Sequence, residues 1–273
     1  MQTFSVAPKE MFSSFWRNRS LIKALVQREV VGRYRGSIFG LAWSLFNPIL
    51  MLVIYTFVFS VALNARWGTP AHDTGTGFAI VLFVGLIVHG LFAECINRAP
   101  GLIVSNANYV KKVVFPLEIL PWVAFGSALF HTFVSSSVLL IAALIINHHI
   151  PFTAVYFPLV LTPLILGTLG LAWVLAAAGV YLRDVGQITS LFTTAMLFVS
   201  AVFFPITALP ENYRIWVALN PLAAIIQESR NVLIIGQAPN FYIIGLLFCL
   251  GSAMAWAGFA CFQCARKGFA DVL

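Results

Sequence analysis

Long uncharged runs, separated by short polar or proline-marked breaks, set the pattern of this chain. From Ser37 to Leu63 no side chain is charged, a run of 27 residues, where about 20 suffice to cross a hydrocarbon core. Comparable runs recur and predict six spans, at 38–63, 78–97, 117–146, 154–181, 187–204 and 240–264. The third is expected to start on the cytoplasmic side of the membrane. The implied fold class is an all-α polytopic membrane protein.

Residues 9–31 follow a different pattern. Met11, Phe12, Phe15, Trp16, Ile22, Leu25, Val26 and Val30 recur at roughly helical spacing, with Lys9, Arg17, Lys23 and Arg28 among them. A helix with aromatics on one side and basic residues on the other lies in the headgroup plane. The periodicity fits either a generic amphipathic anchor or a cuff helix that transmits motion from a cytoplasmic partner. The region 1–36 is therefore read as a cytoplasmic amphipathic segment and 37–273 as the six-span unit. No apolar core followed by a small-residue cleavage site precedes the first span, so the span itself is expected to direct insertion.

The connections are unequal. The loop 147–153 is short, whereas 98–116 is long enough for a short helix over 102–112 ending at Phe115-Pro116. The segment 205–239 is too apolar for an exposed loop and is broken by Pro205, Pro210, Pro221 and Pro239. Two half-inserted helices, at 211–219 and 221–235, fit it best. Irregular backbone at membrane depth needs protein or a water-filled cavity around it, so this hairpin should line or cap something. No internal repeat is visible, and there is no matched pair of broken spans of the inverted-repeat kind.

Composition sharpens the class. The chain is 60% hydrophobic and 9% charged, where soluble domains carry about 25% charged residues. The net charge of +7 would point to nucleic acid in a soluble protein, but here the basic residues fall on one side. Segments expected to be cytoplasmic hold thirteen Lys and Arg, and the outer ones hold only Arg66, Arg214 and Arg230. That bias places both termini in the cytoplasm.

Candidate chemistry is sparse. The phosphate cradle G-x-x-x-x-G-K-[ST] is absent, so ATP would have to be hydrolysed by a separate subunit. His89 and Glu94 are five residues apart, about 140° around a helix, and do not share a face. His148-His149 has no third ligand at metal spacing. Cys261 and Cys264 form a C-x-x-C with no second pair, at the end of a span, and read as chance spacing. Glu94, Glu118 and Asp184 fall near span ends, leaving His89 and His131 as the clearest ionisable groups within spans, which argues against an ion-coupled carrier. No catalytic residue, metal or cofactor is expected in this chain.

Aromatics are plentiful: 25 Phe, 7 Trp and 7 Tyr. Lipid-facing belts and core packing account for most of them. Trp43, Phe46, Tyr55 and Phe59 along the first span, and Phe192, Phe198, Phe203 and Phe204 along the fifth, could instead line a conduit. Sugar rings present apolar C–H faces that slide over aromatic side chains.

The strings RYRGSIFGLAWSLFNPIL (33–50), YTFVFS (55–60) and VKKVVFPLEILP (110–121) resemble the membrane subunit of type-2 ABC polysaccharide exporters, nearest to the Wzm-type permeases of O-antigen export. The layout matches along nearly the whole chain. The resemblance implies a homodimeric permease in the bacterial inner membrane, with a polymer channel between protomers. It also implies two copies of a separate nucleotide-binding subunit carrying ATP and magnesium, and an undecaprenyl-linked polysaccharide as substrate, most simply O-antigen. Capsule, teichoic acid, drug or lipid are the related alternatives, and a membrane enzyme or scaffold acting on lipid-linked sugars is the alternative of another class. The loop 98–116 then carries the coupling helix, with Asn106, Lys111, Lys112, Phe115, Pro116 and Glu118 as ATPase-coupling candidates. Lys111 and Lys112 could equally meet lipid headgroups. Trp43, Phe46, Tyr55, Phe59, Phe198 and Phe203 become candidates for the glycan path. Phe15, Trp16, Arg28, Arg33 and Arg35 mark the interfacial helix and its junction with the first span.

Overall fold

The computed structural model of the protein describes residues 5–62, 75–111 and 115–273, and these are all helix, turn or coil. Five stretches are long and apolar enough to cross a membrane: Gly40–Phe59, Gly77–Arg98, Leu117–Ile146, Phe152–Tyr181 and Phe241–Val272. A sixth apolar helix, Val185–Val199, is shorter at 15 residues.

The chain opens with α1 (Pro8–Arg17) and α2 (Arg19–Arg33). The single amphipathic helix expected over 9–31 is thus two helices. The break is Asn18, whose side chain donates to the Ser14 carbonyl at 2.8 Å, a local bond that competes with helix continuation. Helix α2 does not lie free. Its Ile22 and Leu25 are buried against Ile119 and Val123, and Val26 sits over Gly126, where an added Cβ would come within 2.6 Å of its methyl group.

The first span is α3 (Trp43–Tyr55), interrupted by Pro48 and continued by a π-helical stretch, Thr56–Ala62. The second, α4 (Gly75–Arg98), is the axis of the bundle. Its apolar window is 78% buried, against 6% for the first span. A helix apolar all round must be buried, and α4 meets this by packing against α3, its π-helical continuation and the later helices. The loop helix expected over 102–112 is split into α5 (Gly101–Val104) and α6 (Ala107–Lys111).

Helices α7 (Leu120–Asn147) and α8 (Phe157–Tyr181) follow, then α9 (Val185–Val199). The hairpin region forms α10 (Glu211–Ala218) and α11 (Pro221–Arg230), the latter ending in a π turn over Asn231–Ile235. Asn220 caps α11 by accepting from the Leu222 N–H at 3.0 Å. The last elements are α12 (Phe241–Ala265) and the short α13 (Phe269–Val272). The closest helix pair is α8 with α12. Here Gly170, Gly251 and Gly258 let the two backbones touch, and a Cβ on Gly258 would collide with the Gly170 carbonyl. Small residues that permit such close approach are what hold helices together where lipid removes the hydrophobic drive.

One boundary departs from expectation. The fifth span was predicted over 187–204, but α9 stops at Val199. Ala201 adopts φ +52°, and the Ala201 and Val202 carbonyls accept hydrogen bonds from Arg230 at 2.9 and 2.8 Å. The same guanidinium donates to the Val81 carbonyl of α4 at 3.2 Å, and Arg230 is 1% exposed. An arginine 28 residues away therefore ends this helix, and the apolar run alone gave no sign of it.

Candidate functional site

The end of the first span carries the clearest surface feature. Tyr55 and Phe59 lie four residues apart, so they fall on one helical face, and their ring centroids are 6.4 Å apart. Phe59 stacks on Phe78 of α4 at 5.3 Å and on Phe203 at 6.5 Å. Phe203 in turn lies 5.5 Å from Phe198. Four candidates chosen from sequence thus form one continuous row, Tyr55–Phe59–Phe203–Phe198, between the first span and the broken end of α9. The break makes this possible: Phe203 leaves the helix, and the Ser200 hydroxyl beside it accepts from the Asn220 amide at 2.9 Å. Phe198 is exposed and the other three are half-buried.

Trp43 and Phe46 do not join that row. With Phe39 they form a separate exposed cluster at the start of α3, with centroids 5.7–6.2 Å apart. The outward face of α3 is largely apolar and exposed in the isolated chain, with Leu45, Leu50 and Val53 on it, and Phe57 extends it into the π-helical stretch.

The coupling candidates fall into three groups. The Asn106 amide donates to the Leu102 carbonyl at 2.9 Å and so ties α5 to α6. Phe115 stacks on Tyr109 of α6 at 4.3 Å, and the Tyr109 hydroxyl accepts from Arg28 of α2 at 3.4 Å. Pro116 leads the chain into the turn Leu117–Ile119. Glu118, by contrast, is 7% exposed. Its carboxylate accepts from the Ser14 hydroxyl at 3.0 Å and pairs with Arg266 at 2.6 Å, while its carbonyl accepts from the Trp173 indole at 3.0 Å. It joins four elements of this chain from inside. Lys111 closes α6, and Lys112 lies outside the described residues.

The interfacial residues also divide. Phe15 packs on Trp122 at 4.6 Å, whereas Trp16 is 66% exposed, with the Arg19 guanidinium 4.7 Å over its ring. Arg28 and Arg33 turn toward the bundle, and Arg35 is exposed in the turn after α2.

Sequence reasoning missed a polar cluster that these last residues help to build. Arg33 donates to Glu94 at 2.7 Å and contacts His131 Nδ1 at 2.8 Å. Glu94 lies 3.2 Å from His131 and pairs with Arg98 at 3.8 Å, and Arg98 also pairs with Glu29. The Tyr34 hydroxyl contacts His131 Nε2 at 3.2 Å. Glu94 and Arg98 stand one turn apart on α4, but the ties that join α2, α4 and α7 have no local spacing to announce them. The one available signal was the separation of His89 and Glu94 onto different faces. His89 indeed turns away, with its Nε2 2.9 Å from the Thr193 carbonyl of α9. Among the described residues, no group of three or more His, Cys, Asp or Glu is placed to hold a metal.

The chain combines several membrane-length helices, an aromatic row at the end of the first span and a linked loop at 98–116. A profile of transporter membrane domains described as "ABC-2 type transporter" matches residues 20–234. The chain belongs to the ABC-2 type transporter family. The ABC-2 match runs from α2 through the π turn after α11, and so covers both the aromatic row and the coupling loop. Relatives agree over almost the full length. The O-antigen export system permease protein RfbA of Myxococcus xanthus is 27% identical over 258 residues, covering 94% of this chain and 96% of that protein. Its namesake in Klebsiella pneumoniae is 24% identical over 255 residues, with 93% and 95% covered. The polysialic acid transport protein KpsM of Escherichia coli is 24% identical over 230 residues, with 82% and 85% covered. As an ABC-2 member with several spans, the protein is a multi-pass membrane permease.

Proposed function

We propose that this chain is the channel-forming subunit of an ATP-driven exporter that moves an undecaprenyl-linked polysaccharide of O-antigen type across the bacterial inner membrane. The observation that carries this reading is the row Tyr55–Phe59–Phe203–Phe198 in a chain whose relatives named for O-antigen export align over more than nine-tenths of its length. A row of rings offers stacking without fixed hydrogen bonds, so a polymer can advance one sugar at a time.

In this reading six spans place both termini in the cytoplasm, and α10 and α11 form the outer re-entrant hairpin. Two copies of the chain face each other across the apolar surface of α3, which one copy leaves exposed to lipid. Two nucleotide-binding subunits dock at the loop 98–116 and bind ATP and magnesium. Motion received at α5 and α6 passes through the Tyr109–Phe115 stack and Arg28 into α2, and from there to the first span. A capsule-type polymer is the second reading, favoured by the KpsM relatives.

Deleting the gene should leave lipid-linked polymer inside the cell and none at the surface, with restoration by the intact chain. Unchanged surface polysaccharide, or failure to co-purify with an ABC ATPase, overturns the proposal. Sugar analysis of the accumulated polymer separates O-antigen from capsule.

A further inference from the structure

A cleft of about 310 Å³ opens between the first three spans. That volume falls at the lower end of the range for small-ligand sites, ~300–1,000 Å³. All of its lining residues lie on α3, α4 or α7 within the candidate spans. Apolar side chains of α3 and α4 form its walls. Its polar groups are Asn47 and Tyr55 of α3, Glu94 of α4, and His131, Thr132 and Ser135 of α7. Asn47 and Tyr55 are eight residues apart, so the cleft runs for roughly 12 Å along the span at 1.5 Å per residue.

Polar groups at membrane depth are costly unless they meet partners, and they mark paths for polar cargo. The charges here select the kind of cargo. Arg33 and Arg98 are matched by Glu94 and Glu29 in adjoining ion pairs, so the cluster at the Glu94–His131 end carries no excess of fixed cationic charge to draw a phosphate. What remains for a ligand is the Asn47 amide and the Ser135 hydroxyl facing apolar walls, with the Tyr55 phenol at the far end. Such a mixture of donors and acceptors beside an aromatic face suits the hydroxyls and C–H face of an uncharged pyranose.

We infer that the cleft bounded by Asn47, Tyr55, Glu94, His131 and Ser135 is a binding subsite for a neutral sugar unit of the exported polymer. It lies beside the aromatic row and shares Tyr55 with it. The inference rests on the export reading above and adds to it a place where one sugar is held by hydrogen bonds, within a single protomer. Tyr55 then belongs to both surfaces and hands the sugar from the cleft to the row.

The test is photocrosslinking in cells that make and export their own polymer, using full-length chain with benzoylphenylalanine at Ser135 or at Asn47. Phe133, 70% exposed and about 200° from Ser135 on the same helix, serves as control. Glycan-bearing adducts at 135 and 47 but not at 133 are expected. Adducts containing phospholipid only, or no glycan adduct at either position while export continues, overturn the subsite. A probe at Phe198 separates the two readings: glycan adducts there with none in the cleft defeat the subsite alone. No adduct at 198, with surface polymer intact after gene deletion, defeats both. Should the probes themselves stop export, Ser135→Trp decides. It fills the cleft and should slow export roughly tenfold, the scale of one lost hydrogen bond, with subunit assembly unchanged; normal export in that variant overturns the inference.

Discussion

Arg33, the last residue of α2, donates to Glu94 of the central span at 2.7 Å. This contact fixes the end of an amphipathic helix to the most buried element of the bundle. The side chain of Arg33 is 43% exposed and that of Glu94 19%, so the pair is screened on one side. A double-mutant cycle with Arg33→Gln and Glu94→Gln should give a coupling of about 0.5–1 kcal/mol, the range of partly exposed pairs. Thermal unfolding of the purified complex would measure it, and strict additivity would show that the pair contributes nothing.

Arg230 should matter far more to stability. Replacing it with Met strands the carbonyls of Ala201 and Val202, which lie outside any helix, and each buried group left unpaired costs about 1–3 kcal/mol. Arg230→Met is expected to lower the unfolding midpoint sharply and to let residues 200–204 be cleaved by added protease. Arg230→Lys, with one point charge in place of a planar fork, should recover only part of the loss.

The α8–α12 contact gives a steric prediction. Gly258→Ala drives a Cβ into the Gly170 backbone, where no side chain can swing aside. A destabilisation at or above the usual overpacking range of about 1–3 kcal/mol is expected, read as loss of the monodisperse peak in detergent. Gly167→Ala provides the contrast. Its Cβ would lie 4.0 Å from the Gly251 Cα on the same helix pair, an ordinary contact, so the cost should be smaller.

Ser14→Ala removes one of the bonds that hold α1 to Glu118. A loss of about 1 kcal/mol, too small to unfold the chain, should loosen α1 selectively. Trypsin cleavage at Arg17 and Arg19 should speed up while cleavage elsewhere stays constant; an unchanged pattern would show that Ser14 does not anchor the helix.

For the aromatic row, Tyr55→Ala with Phe59→Ala should slow export while leaving complex assembly intact. The expected cost is about 0.5–1.5 kcal/mol for each lost ring pair. Trp43→Ala, in the separate cluster with Phe39 and Phe46, should act independently, so the effects of the two sites should add in a quantitative surface-polymer assay.

The apolar runs announced the long helices, because a run such as 37–63 has one physical outcome in a bilayer. The two short helices of 205–239 were legible from prolines that forbid a continuous span, and Glu211–Ala218 and Pro221–Arg230 fall where Pro210 and Pro221 place them. The end of α9 was not legible, because its cause, Arg230, lies on another helix. For the same reason Glu94 read as a span end and His131 as an isolated polar residue, although they touch. Spacing reveals partners only along one helix face; partners across helices depend on packing. The aromatic row lay between these cases. Its members were visible as residue types, but their junction required α9 to break before Phe203.

Glu118 takes Ser14 on one carboxylate oxygen and Arg266 on the other, so the first helix and the turn that follows α12 hang from a single side chain. Replacing Glu118 should therefore loosen both segments together, although they stand more than 250 residues apart in the chain.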